Sequence, residues 1–289
     1  MNIGGYMLKV DCEYRIKEDI GFILETERMN LSELAEKAKI SRTTIDEILK
    51  KGKTTDSVCE KFYSYVYENR YRINSVKEEL IKEKYGDVLF HGSKSGLSEI
   101  TVTGSRMNCD FGQGFYLGET YSQALAFVCE NERSSVYSFR YSLRGLKIKR
   151  FDCSLEWMLA ICYFRGTLGD FSQSEEVGRI IAGVEAADVI IAPIADNKMF
   201  YIMAQFTDGE INADAALHSL SASSLGSQYV FKSEKALEKL IPIEKYYLCK
   251  PEREECRARL NERSYEIDTK LKLARREFKN GLYIEEILK

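Results

Sequence analysis

Histidine is scarce in this chain: 289 residues hold two, His91 and His218. That leaves almost no material for a Ser/His/Asp triad or for a metal site built from several histidines, and no metal is expected. No run approaches the roughly eighteen apolar residues that a membrane-spanning helix needs. The opening residues Met1 to Tyr6 lack the basic-then-apolar order of a secretory leader. A cytoplasmic location without a membrane partner is therefore expected. Cys-x-x-Cys spacing is also absent. The eight cysteines, at 12, 59, 109, 129, 153, 162, 249 and 256, sit mostly in apolar runs such as Ala160 to Tyr163. They read as reduced thiols, not as a disulfide framework or a zinc site. Neither sign of charge dominates: 42 Lys and Arg face 45 Asp and Glu, a net charge of -3, which argues against a strongly nucleic-acid-coated protein. No internal repeat or low-complexity tract is present. With 44% hydrophobic and 30% charged residues, the chain has material for a full core and two domains.

The first unit is read over residues 1–68. Asn30 can cap a helix whose third position is Glu33, and Leu31, Leu34, Ala35 and Ala38 repeat at helical spacing. Ser41 then caps a second helix with Ile45, Ile48 and Leu49 on its inner face. Two short helices joined by a tight turn make a helix-turn-helix. Flanking helices are expected at about Ile16 to Met29 and Thr55 to Tyr67. From Arg28 to Lys53 seven basic residues face four acidic, a balance of +3, but over residues 1–60 ten face twelve, a balance of -2. The unit alone should bind DNA weakly unless it dimerises, and a protein-contact role stands beside the DNA role.

Two segments carry the chemistry of the rest: Val88-Leu89-Phe90-His91-Gly92-Ser93, and Phe111-Gly112-Gln113-Gly114-Phe115-Tyr116-Leu117-Gly118, which runs on into Ser122-Gln123-Ala124. The first reads as a buried strand ending in a histidine and a glycine. There backbone groups can hold a flat carboxamide while the imidazole bonds a ribose hydroxyl. The second is a glycine-rich approach to a strand carrying Tyr116, where an aromatic can stack on a nicotinamide ring. Turn glycines with Tyr116 as ordinary core are the alternative.

This order of motifs resembles the ADP-ribosyltransferase superfamily of the diphtheria-toxin and poly(ADP-ribose) polymerase type, closest to its uncharacterised bacterial branch, over about residues 86–248. Leu31 to Gly52 likewise resembles the repressor-like helix-turn-helix family. The first resemblance implies three signature positions, His91, Tyr116 and Gln228 in Ser227 to Phe231; Gln228 stands where that family usually has Glu. It implies NAD as co-substrate, no metal, and NAD-binding roles for His91, Gly92, Ser93, Gly114 and Tyr116. Phe127 falls near a second stacking aromatic, with an ordinary core role as the alternative, and Glu119 is an alternative carboxylate. The second resemblance implies that Arg42, Thr43 and Thr44 open a recognition helix toward base edges of a DNA operator. Together they imply a mono-ADP-ribosyltransferase acting on an unknown protein or nucleic-acid acceptor, in a toxin-antitoxin or phage-defence setting with an antitoxin partner. The alternatives are a regulator whose second domain senses NAD or ADP-ribose without turning it over, and an NAD glycohydrolase.

The expected class is α+β: a small helical domain (1–68), a linking helix (69–87), a split-sheet domain (88–248) and a C-terminal amphipathic helix (249–289). Strands are expected at Val136 to Tyr141, Leu146 to Phe151 and Asp188 to Ala192. Helices are expected at Leu155 to Arg165, Glu175 to Ile181, Met199 to Phe206, Ala213 to Leu220 and Glu234 to Leu240, with the final helix ending at Gly281.

Overall fold

The computed structural model describes residues 7–221 and 225–288; the Met1 to Tyr6 segment lies outside them. The architecture is α+β. After strand β1 (Leu8–Lys9) come α1 (Ile16–Glu27), α2 (Leu31–Lys37), α3 (Arg42–Lys51) and α4 (Asp56–Glu68). The Asn30 side chain accepts from the amides of Ser32 and Glu33 while Glu33 reaches back to the Asn30 amide, and Ser41 accepts from the Thr44 amide. Both helix starts are thus sealed by residues at most three positions away. Gly52, at φ +73°, closes α3 in the left-handed region. Ile16, Ile20, Ile23, Leu34, Ile45, Ile48, Phe62 and Val66 fill the core between these helices.

Helix α5 (Ile73–Tyr85) leads into the sheet, whose strands are β2 (Val88–Ser93), β4 (Phe115–Gly118), β5 (Ser135–Tyr141), β6 (Ile148–Arg150), β7 (Val189–Pro193), β8 (Ser227–Phe231) and β9 (Leu240–Tyr247). The short β3 (Glu99–Ile100) pairs separately with β1. The sheet order is β6-β7-β8-β4-β2-β5-β9, antiparallel except for β6 and β7. Between β2 and β5 six residue pairs are in register. Between β2 and β4 there is one, Phe90 with Gly118. The sheet therefore opens at the β2–β4 seam.

One face is covered by helices. Helix α6 (Tyr121–Val128), α5 and α12 (Lys250–Glu277) lie over Val88, Phe90, Val136 and Tyr246. Helices α7 (Leu155–Arg165), α8 (Glu175–Glu185), α9 (Asn197–Thr207) and α10 (Ala213–Ser221) bury Trp157, Ile161, Ile202 and Phe206 against Ile190 and Val230. The opposite face takes a thinner cover: Val10, Ile100 and α11 (Glu234–Leu237) over Leu89, Leu117, Phe139 and Phe231.

Several boundaries differ from expectation. Residues 8–10 belong to the sheet unit and not to the helical domain, because β1 pairs with β3 and the Val10 amide donates to Ser98 O at 2.9 Å. The helix expected to reach Leu240 stops at Leu237, and Leu240 starts the edge strand β9, held by seven registered pairs with β5. The C-terminal helix ends at Glu277 and not at Gly281: Asn212 Nδ2 donates to Phe278 O at 2.7 Å, and α13 (Ile284–Ile287) turns Ile284 into the core.

Candidate functional site

His91, Tyr116 and Gln228 stand on three neighbouring strands, β2, β4 and β8, although the described chain between Tyr116 and Gln228 runs through five α-helices and a 3-10 helix. Alternation along the strands sets their faces. Tyr116 is registered with Val230, and Gly118 with both Phe90 and Gln228, so Tyr116 and Gln228 share the helix-covered face. The His91 ring lies on the other side, tilted at 4.4 Å against Phe115. What joins it to Tyr116 is a hydrogen bond across the seam: His91 Nδ1 donates to Tyr116 O at 2.8 Å, a carbonyl being able only to accept. The imidazole replaces a ladder bond that the opened sheet lacks. Burial pushes its pKa down to about 4, against the pull of that hydrogen bond. The ring is neutral at pH 7, and among the described residues no hydrogen bond reaches its Nε2, whose lone pair is suited to a ribose hydroxyl.

The glycines act by close approach. A Cβ on Gly92 would sit 2.4 Å from Ala124 O and 2.9 Å from Val128 Cγ1, so only glycine lets α6 lie on the end of β2. A Cβ on Gly114 would sit 2.8 Å from Val230 Cγ1. Ser93 Oγ donates to Gly96 O at 2.6 Å and shapes the turn after β2. The Tyr116 hydroxyl closes the glycine-rich loop: it donates to Gly112 O at 2.6 Å and accepts from the Phe111 amide at 3.1 Å. Burial raises its pKa, so it stays protonated. Lys232, at the end of β8, donates to Phe111 O and anchors the same loop.

Gln228 is buried and spends both amide protons: Nε2 donates to Asp110 Oδ2 at 2.9 Å and to Pro193 O at 3.1 Å. Asp110 is itself buried, and its Oδ1 receives Arg165 Nε at 2.9 Å together with Arg165 Nη2. Arg165 lies over the Phe200 ring at 4.4 Å. The sequence reading missed Asp110 and Arg165. One signal was present: Asp110 is the single acid between Glu99 and Glu119, directly before the Phe-Gly-x-Gly motif. Nothing local marked Arg165. Glu119 joins strands instead: it accepts from the Ser227 amide at 3.1 Å and from the Tyr229 hydroxyl at 3.4 Å.

Phe127 is not brought into this group. It is 57% exposed on the outer side of α6, whose inner face presents Tyr121, Ala124, Leu125 and Val128, so it is neither a core residue nor a partner ring to Tyr116. On α3, Arg42 and Thr43 are exposed, but Arg42 already donates to Ser32 Oγ at 2.5 Å and lies 3.9 Å from Asp46. The Thr44 hydroxyl is shared with Ser41 Oγ at 2.7 Å. Among the described residues no group of His, Cys, Asp and Glu is placed to hold a metal ion, and no helix is long and apolar enough to cross a membrane.

Comparison of the chain with curated proteins and with solved structures finds no match. A profile of the family described as protein of unknown function DUF3990 matches residues 88–241, from the His91 strand to the start of β9 and more than half of the chain. The chain belongs to the DUF3990 family.

Proposed function

We propose that the sheet unit is an NAD-dependent mono-ADP-ribosyltransferase whose substrate enters at the β2–β4 seam. One observation carries the reading: His91, Tyr116 and Gln228, at the three positions the resemblance picks out, fall on adjacent strands beside the seam where β2 and β4 share a single registered pair. The residues present fit the dinucleotide. Neutral His91 offers Nε2 as acceptor to a ribose hydroxyl, the half-buried Tyr116 ring offers an aromatic surface, and Gln228 offers its amide carbonyl. In the reaction the bond between ribose C1′ and the nicotinamide nitrogen breaks, and its electron pair cancels the pyridinium charge. A lone pair of the acceptor forms the new bond at C1′, and the acceptor proton leaves to solvent. The protein orients the ribose and places negative potential near the cationic transition state. The bacterial toxin-antitoxin or phage-defence role comes from the resemblance alone.

Binding to the folded state alone raises stability, by about 2.7 kcal/mol at a hundredfold excess over Kd. Millimolar NAD should raise the melting temperature, His91→Ala and Tyr116→Ala should each abolish that shift, and labelled NAD should release nicotinamide. A melting curve unmoved by NAD in the unmutated protein would falsify the reading. Release of nicotinamide without label on any protein or nucleic acid would make the enzyme a glycohydrolase.

A second reading, an NAD-responsive regulator, is favoured by the joint between the units. Tyr63 of α4 stacks on Tyr247 of β9 at 5.1 Å and 14°, and Lys77 of α5 is paired with both Asp19 of α1 and Glu244 of β9. Occupation of the seam would then be felt at α3. DNA affinity that changes on adding NAD, with no nicotinamide released, would establish it.

A further inference from the structure

Gln228 stands where a carboxylate is usual, yet a carboxylate is in contact with it. Asp110 Oδ2 receives the Gln228 amide at 2.9 Å, inside the sheet unit, where both side chains are less than a tenth exposed. Arg165 holds the other oxygen, its Nε donating to Asp110 Oδ1 at 2.9 Å, so the carboxylate bridges the guanidinium and the Gln228 amide. We infer that Asp110 is the positioning residue of this site: through its hydrogen bond to Nε2 it polarises the Gln228 amide, so that Gln228 Oε1 does the work of the missing carboxylate.

The physics is that of a charge-assisted hydrogen bond in a low-dielectric site. When an amide N–H donates to a carboxylate, electron density shifts through the conjugated N–C–O unit onto the carbonyl oxygen. Pro193 O, taking the second proton at 3.1 Å, acts in the same direction. Both donors of Gln228 are occupied, so its orientation is fixed and its carbonyl is the end left for a ligand. The Arg165–Asp110–Gln228 relay thereby delivers partial negative charge to the seam without a free carboxylate there. As C1′ loses nicotinamide, with the bond pair leaving on the ring nitrogen, this oxygen faces the growing positive charge. The relay also explains why glutamate is unsuited at 228: a second carboxylate would stand within hydrogen-bond distance of Asp110, and the two would have to share a proton.

This inference rests on the transferase reading, and nicotinamide release separates the two. Asp110→Asn should lower kcat by about a hundredfold, the usual loss on removing one electrostatic contact to a transition state, with KM for NAD little changed. Gln228→Glu should give a pH–rate profile with an apparent pKa well above that of an ordinary carboxylate, because the pair shares a proton. The double exchange Asp110→Asn with Gln228→Glu moves the carboxylate across the hydrogen bond; it should remove that titration and recover at least part of the lost kcat. Asp110→Asn strips Arg165 of its partner, so if that variant does not fold, the Gln228→Glu variant, which keeps Asp110 beside Arg165, decides the matter. An unmutated enzyme that turns NAD over, with Asp110→Asn equally fast or Gln228→Glu lacking any new titration, overturns the inference alone. An unmutated protein that releases no nicotinamide overturns the transferase reading and the inference with it.

Discussion

The N-terminal helical unit and the seam are held in opposite ways. In the first, the decisive contacts are local: Asn30 with the amides of Ser32 and Glu33, Ser41 with Thr44, and isoleucines three or four apart facing one core. Its ion pairs, Arg42 with Asp46 and Lys51 with Glu47, are exposed and each contributes a few tenths of a kcal/mol. At the seam, partners come from across the chain: Asp110 meets Arg165 and Gln228, and Glu119 meets Ser227. A local device can be lost at modest cost. A buried, long-range one cannot, because removing one partner strands the other.

The sharpest way to break this comparison lies where the two regions meet. Lys77 is buried and paired with Asp19 at 3.0 Å and Glu244 at 2.5 Å, and Tyr63 adds a hydrogen bond to Asp19 at 2.6 Å. Burial works to lower the lysine pKa, but the two carboxylates outweigh it and the net shift is upward, so the lysine stays charged. Lys77→Met should cost about 3–5 kcal/mol, since the two buried carboxylates lose their shared buried partner and only Glu244 keeps a second cation, Arg15 at 3.8 Å. Urea unfolding should also change from one transition to two as the helical unit separates from the sheet. A loss below about 1 kcal/mol with one transition retained would mean that the Tyr63–Tyr247 stack, not the ion triad, makes the joint.

The same contrast explains what the sequence made legible. The helix starts at Asn30 and Ser41 and the strands around His91 and Tyr116 are written in short patterns, and the structure places each of them. Gln228 was named from the resemblance, on Ser227 to Phe231, but its partners were not, because the hydrogen bonds it donates to Asp110 and to the Pro193 carbonyl leave no periodicity. Residues 8–10 read as the helical domain because they precede it; their pairing with β3 is tertiary. Leu240 to Tyr247 was hidden by the apolar end of α11, which runs into the strand without a turn signal. Phe127 shows the converse limit, since a spacing of eleven from Tyr116 says nothing about which side of α6 faces the sheet, and the ring lies exposed on the outer side, not in the core.

A second test lies behind the seam. Glu252, at the start of α12, is buried among Tyr121, which donates to it at 2.9 Å, and Asn74, which donates at 3.0 Å. Burial raises its pKa from 4.5 to about 7. A raised folded pKa means that the unfolded chain ionises first, so this stability is fully present below pH 4.5 and is lost as pH rises toward 7. The loss should reach about 3 kcal/mol, and Glu252→Gln should remove the slope. His91 acts with the opposite sign: its pKa falls from 6.5 to about 4, so its contribution is present above pH 6.5 and is lost as pH falls toward 4. The two oppose each other between pH 4.5 and 6.5, and only Glu252 acts from 6.5 to 7. Urea midpoints at half-unit steps would show it; a slope that survives Glu252→Gln in that upper window would assign it elsewhere.

The smallest effect belongs to the local side. Asn30 is exposed, and its whole contribution is the cap: 2.9 Å to the Ser32 amide, 3.1 Å to the Glu33 amide, and the return bond from its own amide to Glu33 at 2.8 Å. Asn30→Ala should cost about 1 kcal/mol, the usual value of such a cap. The exposed amides it frees can turn to water, so no buried group is stranded. The loss should appear as an earlier midpoint of the one cooperative transition, because the helical core continues into Tyr247 and Cys249 of the sheet unit. If the sheet unit is the transferase proposed above, nicotinamide release should stay at the unmutated rate, since none of these bonds touches β2, β4 or β8. A cost near that of Lys77→Met, or a fall in turnover, would show that the α1–α2 corner is wired to the seam as tightly as the ion triad is, and the division between a local and a long-range half would not hold.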